Sequence, residues 1–175
     1  TYTFDNVRRV ALATARVFRN HPKIDNGIVV GYDTRFLGRQ FAEATAAVIA
    51  DEAIKTLITN TFVTTPTVSL LSRDLNCALG VMITASHNPY QYNGYKLKDE
   101  FGGSMSPEEI AKIEHELLSI ESVPDGKSFQ DLLDNGSIEY FDGRAYYLKY
   151  IAERINVSKI KSANLRVIYD AMYGA

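Results

Sequence analysis

The sequence lacks several features that would assign it to a specialised class of protein. It has one cysteine, Cys77, and no tryptophan. A single cysteine excludes an intramolecular disulfide and any cysteine-rich metal site, and it fits a reducing, cytoplasmic setting. The net charge is only −2, so no basic surface for nucleic acid or for a membrane is indicated. No apolar run approaches the roughly 20 residues of a membrane-spanning helix. We therefore expect an ordinary globular protein with neither nucleic acid nor membrane as a partner.

Apolar runs and amphipathic stripes alternate along the first half of the chain. Strands are predicted over residues 27–32, 55–59 and 79–84, and helices over residues 4–20, 38–52 and 65–75. Such alternation is typical of an α/β fold, here a three-layer α/β/α domain with a mainly parallel mixed sheet. The carboxyl ends of parallel strands meet at one sheet edge, where open α/β sheets bind ligands. Arg35 and Ser86, which follow the first and third strands, are therefore expected near each other.

The second half of the chain has a helix start at Ser106–Pro107 and a candidate edge strand over residues 138–141. A further amphipathic helix is predicted over residues 146–155. Ser158–Ser162 is interpreted as a polar linker, and Leu165–Asp170 as a new strand. We therefore expect a first domain over residues 1–157 and, over residues 158–175, a linker and the first strand of a truncated second domain.

The stretch from Leu79 to Asp99 carries the features with the clearest chemical meaning. A buried strand ends at a serine, Ser86, and the Asn88-Pro89 dipeptide then favours a turn. Asn93-Gly94 predicts a two-residue hairpin turn that folds residues 95–98 back as a strand, with Lys96 and Lys98 on one face. A hydroxyl at the mouth of a strand with ammonium groups over it is suited to phosphate chemistry.

The same stretch resembles the phosphoserine signature of the α-D-phosphohexomutases, the phosphoglucomutase/phosphomannomutase superfamily. Two segments carry the resemblance: Thr84-Ala85-Ser86-His87-Asn88-Pro89 and Tyr92-Asn93-Gly94-Tyr95-Lys96. Further segments resemble the family in the same order: residues 31–35, 65–67, 101–104, 107–108 and 165–174. The resemblance covers nearly the whole chain, but only one of the family's four domains at close to full length.

Membership of this family implies an isomerase that interconverts hexose 1-phosphate and hexose 6-phosphate, with glucose or mannose as the sugar. Phosphorylated Ser86 would donate its phosphoryl group to the sugar, and the bisphosphorylated intermediate would turn over and return the other group. Phosphoryl transfer depends on in-line positioning and cationic stabilisation. The resemblance also implies Mg²⁺, held by the Ser86 phosphate and by aspartates of domain II. Because domains II–IV are not represented, we expect the 175 residues alone to be inactive.

Four further residues near Ser86 are candidates for the site, and one of them, Lys96, takes its role from the resemblance. Lys96 matches the family's general acid/base beside the serine. His87 is expected to hold the phosphate or the loop, and Asn88 to shape the turn and bind substrate. Arg35 either contacts the phosphoryl group or pairs with Asp33, and the sequence leaves both possibilities open.

Two other functions are compatible with a serine in this position. The domain could bind a phosphate or a sugar phosphate without chemistry, in which case Ser86 would not accept a phosphoryl group. It could instead be a serine hydrolase, but Thr84 and Asn88 occupy the places of the glycines that flank the nucleophile in a Gly-x-Ser-x-Gly elbow.

Overall fold

A computed structural model describes residues 2–175. The helices are α1 (Phe4–Phe18), α2 (Gly38–Asp51), α3 (Thr65–Asp74), α4 (Pro107–Leu117), α5 (Phe129–Asp134), α6 (Gly143–Arg154) and α7 (Val157–Ser162). The strands are β1 (Ile28–Tyr32), β2 (Thr56–Thr59), β3 (Leu79–Ile83), β4 (Tyr95–Lys98) and β5 (Ile138–Phe141). Each predicted element of the first half is present within one or two residues of its expected bounds.

The five strands form one mixed sheet in the order β4-β3-β1-β2-β5. Four of them are parallel, and β4 runs antiparallel to β3 at one edge. The register pairs Tyr32 of β1 with Ile83 of β3, so both strands reach the carboxyl edge at the same level. The prediction of a mainly parallel mixed sheet is therefore confirmed.

Helices cover both faces of the sheet, which gives three layers. α1, α2, α4 and α5 pack on one face, where Ile28, Val30 and Val81 point into the larger apolar core. α3 and α6 pack on the other face, where Val29, Leu57 and Met82 form a smaller core. Every residue of β1 and β3 is buried, because helices cover both faces of these strands.

Two strand glycines let α3 approach the sheet closely. A Cβ atom at Gly31 would lie 2.5 Å from Val68 Cγ2, and one at Gly80 would lie 2.9 Å from Val68 Cγ1. Val68 is fully buried between these strands. The contact fixes the position of α3, whose first residue, Thr65, lies at the carboxyl edge of the sheet beside the candidate site.

The predicted hairpin is right in its second strand and wrong in its turn. The ladder pairs Ile83 with Tyr95, so the connection is the whole of residues 84–94 rather than a two-residue turn. Asn93-Gly94 lies at the base of this connection, where Gly94 O accepts a hydrogen bond from Thr84 N at 3.0 Å. The turn prediction fails because neither Asn93 nor Gly94 has the positive φ that a two-residue type I′ turn requires.

Near the end of the chain, the predicted strand is absent and the residues interpreted as a linker form a short helix. Residues 158–162 are helical, as part of α7, because the Asn156 side chain caps that helix at Lys159 N at 2.8 Å. Leu165–Asp170 does not form a strand: among the described residues it has no neighbouring strand, and Ile168 is fully exposed. An extended segment gains little stability without a partner strand for its backbone groups. Within residues 2–175, no helix has both the length and the apolar character required to cross a membrane.

Candidate functional site

A cleft of about 830 Å³ opens at the carboxyl edge of the sheet, between the ends of β1 and β3 and the start of α3. Asp33 and Arg35 line it from the segment after β1, and Ser86 and Asn88 line it from the connection after β3. Sequence order alone predicted that these two segments meet. They do so because the parallel register brings both strand ends to one level.

Ser86 lies at the mouth of this cleft with its side chain exposed, whereas the preceding residue, Ala85, is buried. Its backbone is left-handed, with φ at +57°, which L-amino acids other than glycine and asparagine rarely adopt. The carbonyl of Ala85 accepts a hydrogen bond from Asn88 N at 3.1 Å. Ser86 and His87 therefore form the corner of a tight turn, and Asn88 closes it.

The turn brings the His87 ring towards the serine, although adjacent side chains of an extended segment point to opposite sides. His87 Nδ1 lies 3.4 Å from Ser86 Oγ, slightly longer than a typical hydrogen bond. Divergence holds for extended backbone, and the left-handed conformation of Ser86 removes that condition. His87 is exposed, so it can reach a group carried by Ser86.

A polar chain links the ends of β1 and β3 to the serine backbone. Thr84 Oγ1 donates to Asp33 Oδ2 at 2.5 Å and accepts from Ser86 N at 3.0 Å. Thr84 is 3% exposed, so its hydroxyl depends on these partners. The Ser86 amide is thus tied to a carboxylate on the neighbouring strand.

The Arg35 guanidinium lies inside the loop that carries Ser86, and its side chain is only 11% exposed. Nη2 donates to the carbonyl oxygens of Ser86 and Asn88, both at 2.6 Å. Nη1 donates to those of Pro89 at 2.8 Å and Tyr92 at 3.1 Å. Nε forms an ion pair with Asp33 Oδ2 at 3.4 Å. Of the two arrangements that the sequence left open, the structure contains the pairing with Asp33.

Lys96 is on β4 and exposed, and it is not among the residues that line the cleft. Its register partner on β3 is Met82, which does line the cleft. Paired residues of an antiparallel ladder project from the same face of the sheet. Lys96 therefore shares a face of the sheet with Met82, although the cavity that it lines is a separate one beside α1 and α4. Lys98 follows on the same face opposite Gly80.

The sequence reasoning missed Thr84 and Tyr2. Thr84 is the first polar residue after β3, and Asp33 is the first after β1, so the parallel register could have indicated their contact. Tyr2 donates from its hydroxyl to Gly94 O at 3.1 Å and thereby holds the base of the loop. Burial raises the pKa of this phenol, so it remains a protonated donor at neutral pH. No local sequence signal connects Tyr2 to a loop so far along the chain.

The described residues do not provide a metal site. Within residues 2–175, no group of three or more histidine, cysteine, aspartate or glutamate side chains is placed to hold a metal ion. Asp33, the carboxylate closest along the network to Ser86, is already engaged by Thr84 and Arg35.

Comparison with known proteins identifies the family. The family model described as phosphoglucomutase/phosphomannomutase, alpha/beta/alpha domain I, matches residues 1–124. A phosphoglucomutase of Staphylococcus saprophyticus is 34% identical over 171 residues, and one of Staphylococcus aureus strain RF122 is 33% identical over 175 residues. Each alignment covers 96% of this chain but only 31% and 30% of those relatives, respectively. The chain thus spans about a third of their length.

Solved structures give the same result. A Thermus thermophilus protein described as a phosphomannomutase superposes with a TM-score of 0.75 at 34% identity, covering 90% of this chain and 33% of that protein. The open form of the Paramecium phosphoprotein pp63/parafusin shares the fold, with a TM-score of 0.82 at 17% identity, over 96% of this chain and 35% of the other. The chain therefore belongs to the phosphoglucomutase/phosphomannomutase family, in which it corresponds to the α/β/α domain I.

Proposed function

We propose that this chain is the phosphoserine domain of a hexose phosphate mutase, an intramolecular phosphotransferase acting on glucose phosphates, mannose phosphates or both. The observation that carries the proposal is the exposed Ser86 hydroxyl at the corner of a tight turn, at the mouth of a cleft on the carboxyl edge of the sheet. An accessible oxygen on a fixed backbone meets the positional demand of in-line phosphoryl transfer.

In the proposed reaction, phosphorylated Ser86 gives its phosphoryl group to a hydroxyl of a hexose monophosphate. The Ser86 Oγ–P bond breaks, a sugar O–P bond forms, and a bisphosphorylated sugar results. The sugar then returns its other phosphoryl group to Ser86 Oγ, so no phosphate is consumed over the cycle.

Lys96 is proposed to take the proton of the attacking sugar hydroxyl and to return one in the reverse step. Its pairing with Met82, a residue that lines the cleft, supports this role. His87 is proposed to hold the phosphoryl group on Ser86, since its ring is 3.4 Å from the serine oxygen. Asn88 supports substrate binding by closing the turn on which Ser86 lies.

Mg²⁺ would depend mainly on groups outside this chain. The described residues offer the ion a phosphate on Ser86 and no cluster of ligands, so they do not fit a complete site. We assign no step to the ion and infer that its other ligands come from domain II. Domains II–IV, which would complete the substrate site, are proposed partners for the same reason.

A domain chimera tests the proposed function. In this chimera the chain replaces the matching 31% of the Staphylococcus saprophyticus phosphoglucomutase. We expect the chimera to convert glucose 1-phosphate to glucose 6-phosphate in a coupled assay with Mg²⁺. We expect no conversion by the Ser86→Ala chimera or by the 175 residues alone. Equal activity of the Ser86→Ala chimera would contradict the proposed role of Ser86, and sustained turnover by the isolated chain would contradict the need for domains II–IV.

A further inference from the structure

We infer that Arg35 is a positioning residue for Ser86, acting as an internal template for residues 86–92 rather than as a phosphate ligand. The inference rests on the proposed function, because it explains how the reactive serine is held. It also decides between the two roles that the sequence left open for Arg35, contact with the phosphoryl group and pairing with Asp33.

The Arg35 guanidinium already uses all of its N–H donors within the protein. Arginine has five N–H donors in a rigid planar fork. Four of them are directed at the carbonyl oxygens of Ser86, Asn88, Pro89 and Tyr92, and the fifth faces the Asp33 carboxylate. A phosphate oxygen could be bound only by giving up one of these contacts. Four carbonyls that converge on one cation define the shape of the loop.

A second set of contacts concerns the serine peptide itself. Its N–H donates to Thr84 Oγ1 at 3.0 Å, and its C=O accepts from Arg35 Nη2 at 2.6 Å. Asp33 accepts from Thr84 and pairs with Arg35, so one carboxylate anchors both contacts. Hydrogen bonds to both its N–H and its C=O thereby hold Ser86 in a left-handed conformation that serine disfavours. These contacts fix the direction of the Ser86 Cα–Cβ bond, from which the hydroxyl projects.

Arginine and lysine differ sharply under this inference. Lysine keeps the positive charge and serves well as a phosphate ligand, but its single ammonium cannot span four carbonyls and a carboxylate. A direct phosphate ligand should therefore tolerate Arg35→Lys in large part, whereas a template should not. Arg39 offers a matched control, because it lies four residues away and its side chain is 56% exposed in an ion pair with Glu43.

The first experiment measures kcat and KM for glucose 1-phosphate in the domain chimera. We expect Arg35→Lys to lower kcat by about 10²-fold, the loss typical of an approximately 1 Å misplacement of a reacting group, while KM changes little. Thr84→Val should lower kcat in the same way. Thr84→Ser should keep the kcat of the unsubstituted chimera, because serine retains the hydroxyl. Arg39→Lys should behave as the unmodified chimera. A raised KM with kcat retained in Arg35→Lys would overturn the inference.

The second experiment needs no catalysis and uses the 175-residue chain. Hydrogen–deuterium exchange of the amides of Ser86, Asn88 and Tyr92, each hydrogen-bonded within the loop, should accelerate in Arg35→Lys and not in Arg39→Lys. Unchanged exchange in folded Arg35→Lys would overturn the template role. If the unsubstituted chimera is inactive but exchange of the loop amides still accelerates in the Arg35→Lys chain, the proposed function is contradicted and the template role remains supported.

Discussion

At the scale of single residues, Ser86 combines exposure with a costly backbone conformation. A left-handed conformation costs a residue with a Cβ atom about 1–2 kcal/mol. The surrounding hydrogen bonds offset that cost, since the Ser86 peptide is held through both its N–H and its C=O. Strained residues of this kind cluster at functional sites, where the surrounding structure holds them in place.

Cys77 represents the opposite case, a potentially reactive group that the fold keeps inert. Its side chain is fully buried, and burial raises the pKa of the thiol to about 11. Because the thiolate is the reactive form, we predict negligible alkylation of the folded chain by iodoacetamide at pH 8 and rapid alkylation in concentrated urea. Intact-mass analysis measures both. Rapid labelling of the folded chain would contradict the assignment.

The same shift has a consequence for stability. The folded thiol has the higher pKa, so the neutral form is favoured in the native state and the unfolded state loses its proton first. The stability that it contributes is complete below the unfolded pKa of about 9 and is lost as the pH rises towards 11. Between pH 9 and pH 11, the free energy of unfolding of a Cys77→Ser variant should therefore fall less than that of the unsubstituted chain.

Residue types and spacing predicted which side chains meet at the site, but not how they meet. The motif and the strand order were sufficient to bring Ser86, His87, Asn88 and Arg35 together. The sign of φ at Ser86 and the use of all five Arg35 donors were not predictable. Both depend on the path of the whole loop, which forms around contacts between residues far apart in sequence.

At the scale of elements, the packing of α3 on β1 and β3 controls the wall of the cleft. We predict that Gly31→Ala destabilises the chain by about 1–3 kcal/mol, the usual cost of overpacking. The added methyl would lie 2.5 Å from Val68 Cγ2 and 3.0 Å from Val63 Cγ2. Urea denaturation monitored by circular dichroism measures the change in the free energy of unfolding.

A double-mutant cycle provides the control for this prediction. Val68→Ala removes the methyl that Gly31→Ala would strike, so the double variant should be less destabilised than the sum of the two single variants. Simple additivity would show that the close approach of α3 does not restrict position 31.

The bounds of the regular elements were predictable where local signals and burial agree. Thr3, Ser106 and the apolar stripes of α1 and α4 mark helix starts and buried faces that the structure contains. Prediction failed for the turn at Asn93-Gly94 and for the strand over residues 165–170. In the first case the backbone lacks the positive φ of a hairpin turn, and in the second β-favouring residues lack a partner strand.

At the scale of the whole molecule, the buried structure ends before the end of the chain. Every residue from 152 to 175 is exposed. We propose that residues 1–157 are the autonomous domain and predict that truncation after Val157 lowers the free energy of unfolding by less than about 1 kcal/mol, as for changes at exposed sites. Truncation before Ile138 is the control, because Ile138 is 1% exposed and β5 should be needed for folding. A large loss of stability on truncation after Val157 would contradict the proposed domain boundary.

The central claim is that Ser86 carries a phosphoryl group, and intact-mass analysis of the domain chimera with glucose 1,6-bisphosphate and Mg²⁺ tests it most directly. We predict the gain of one phosphoryl group, located on Ser86 by peptide mapping and absent from the Ser86→Ala variant. A folded chimera that binds the sugar bisphosphate but gains no mass would contradict the claim and would identify the domain as a binding module.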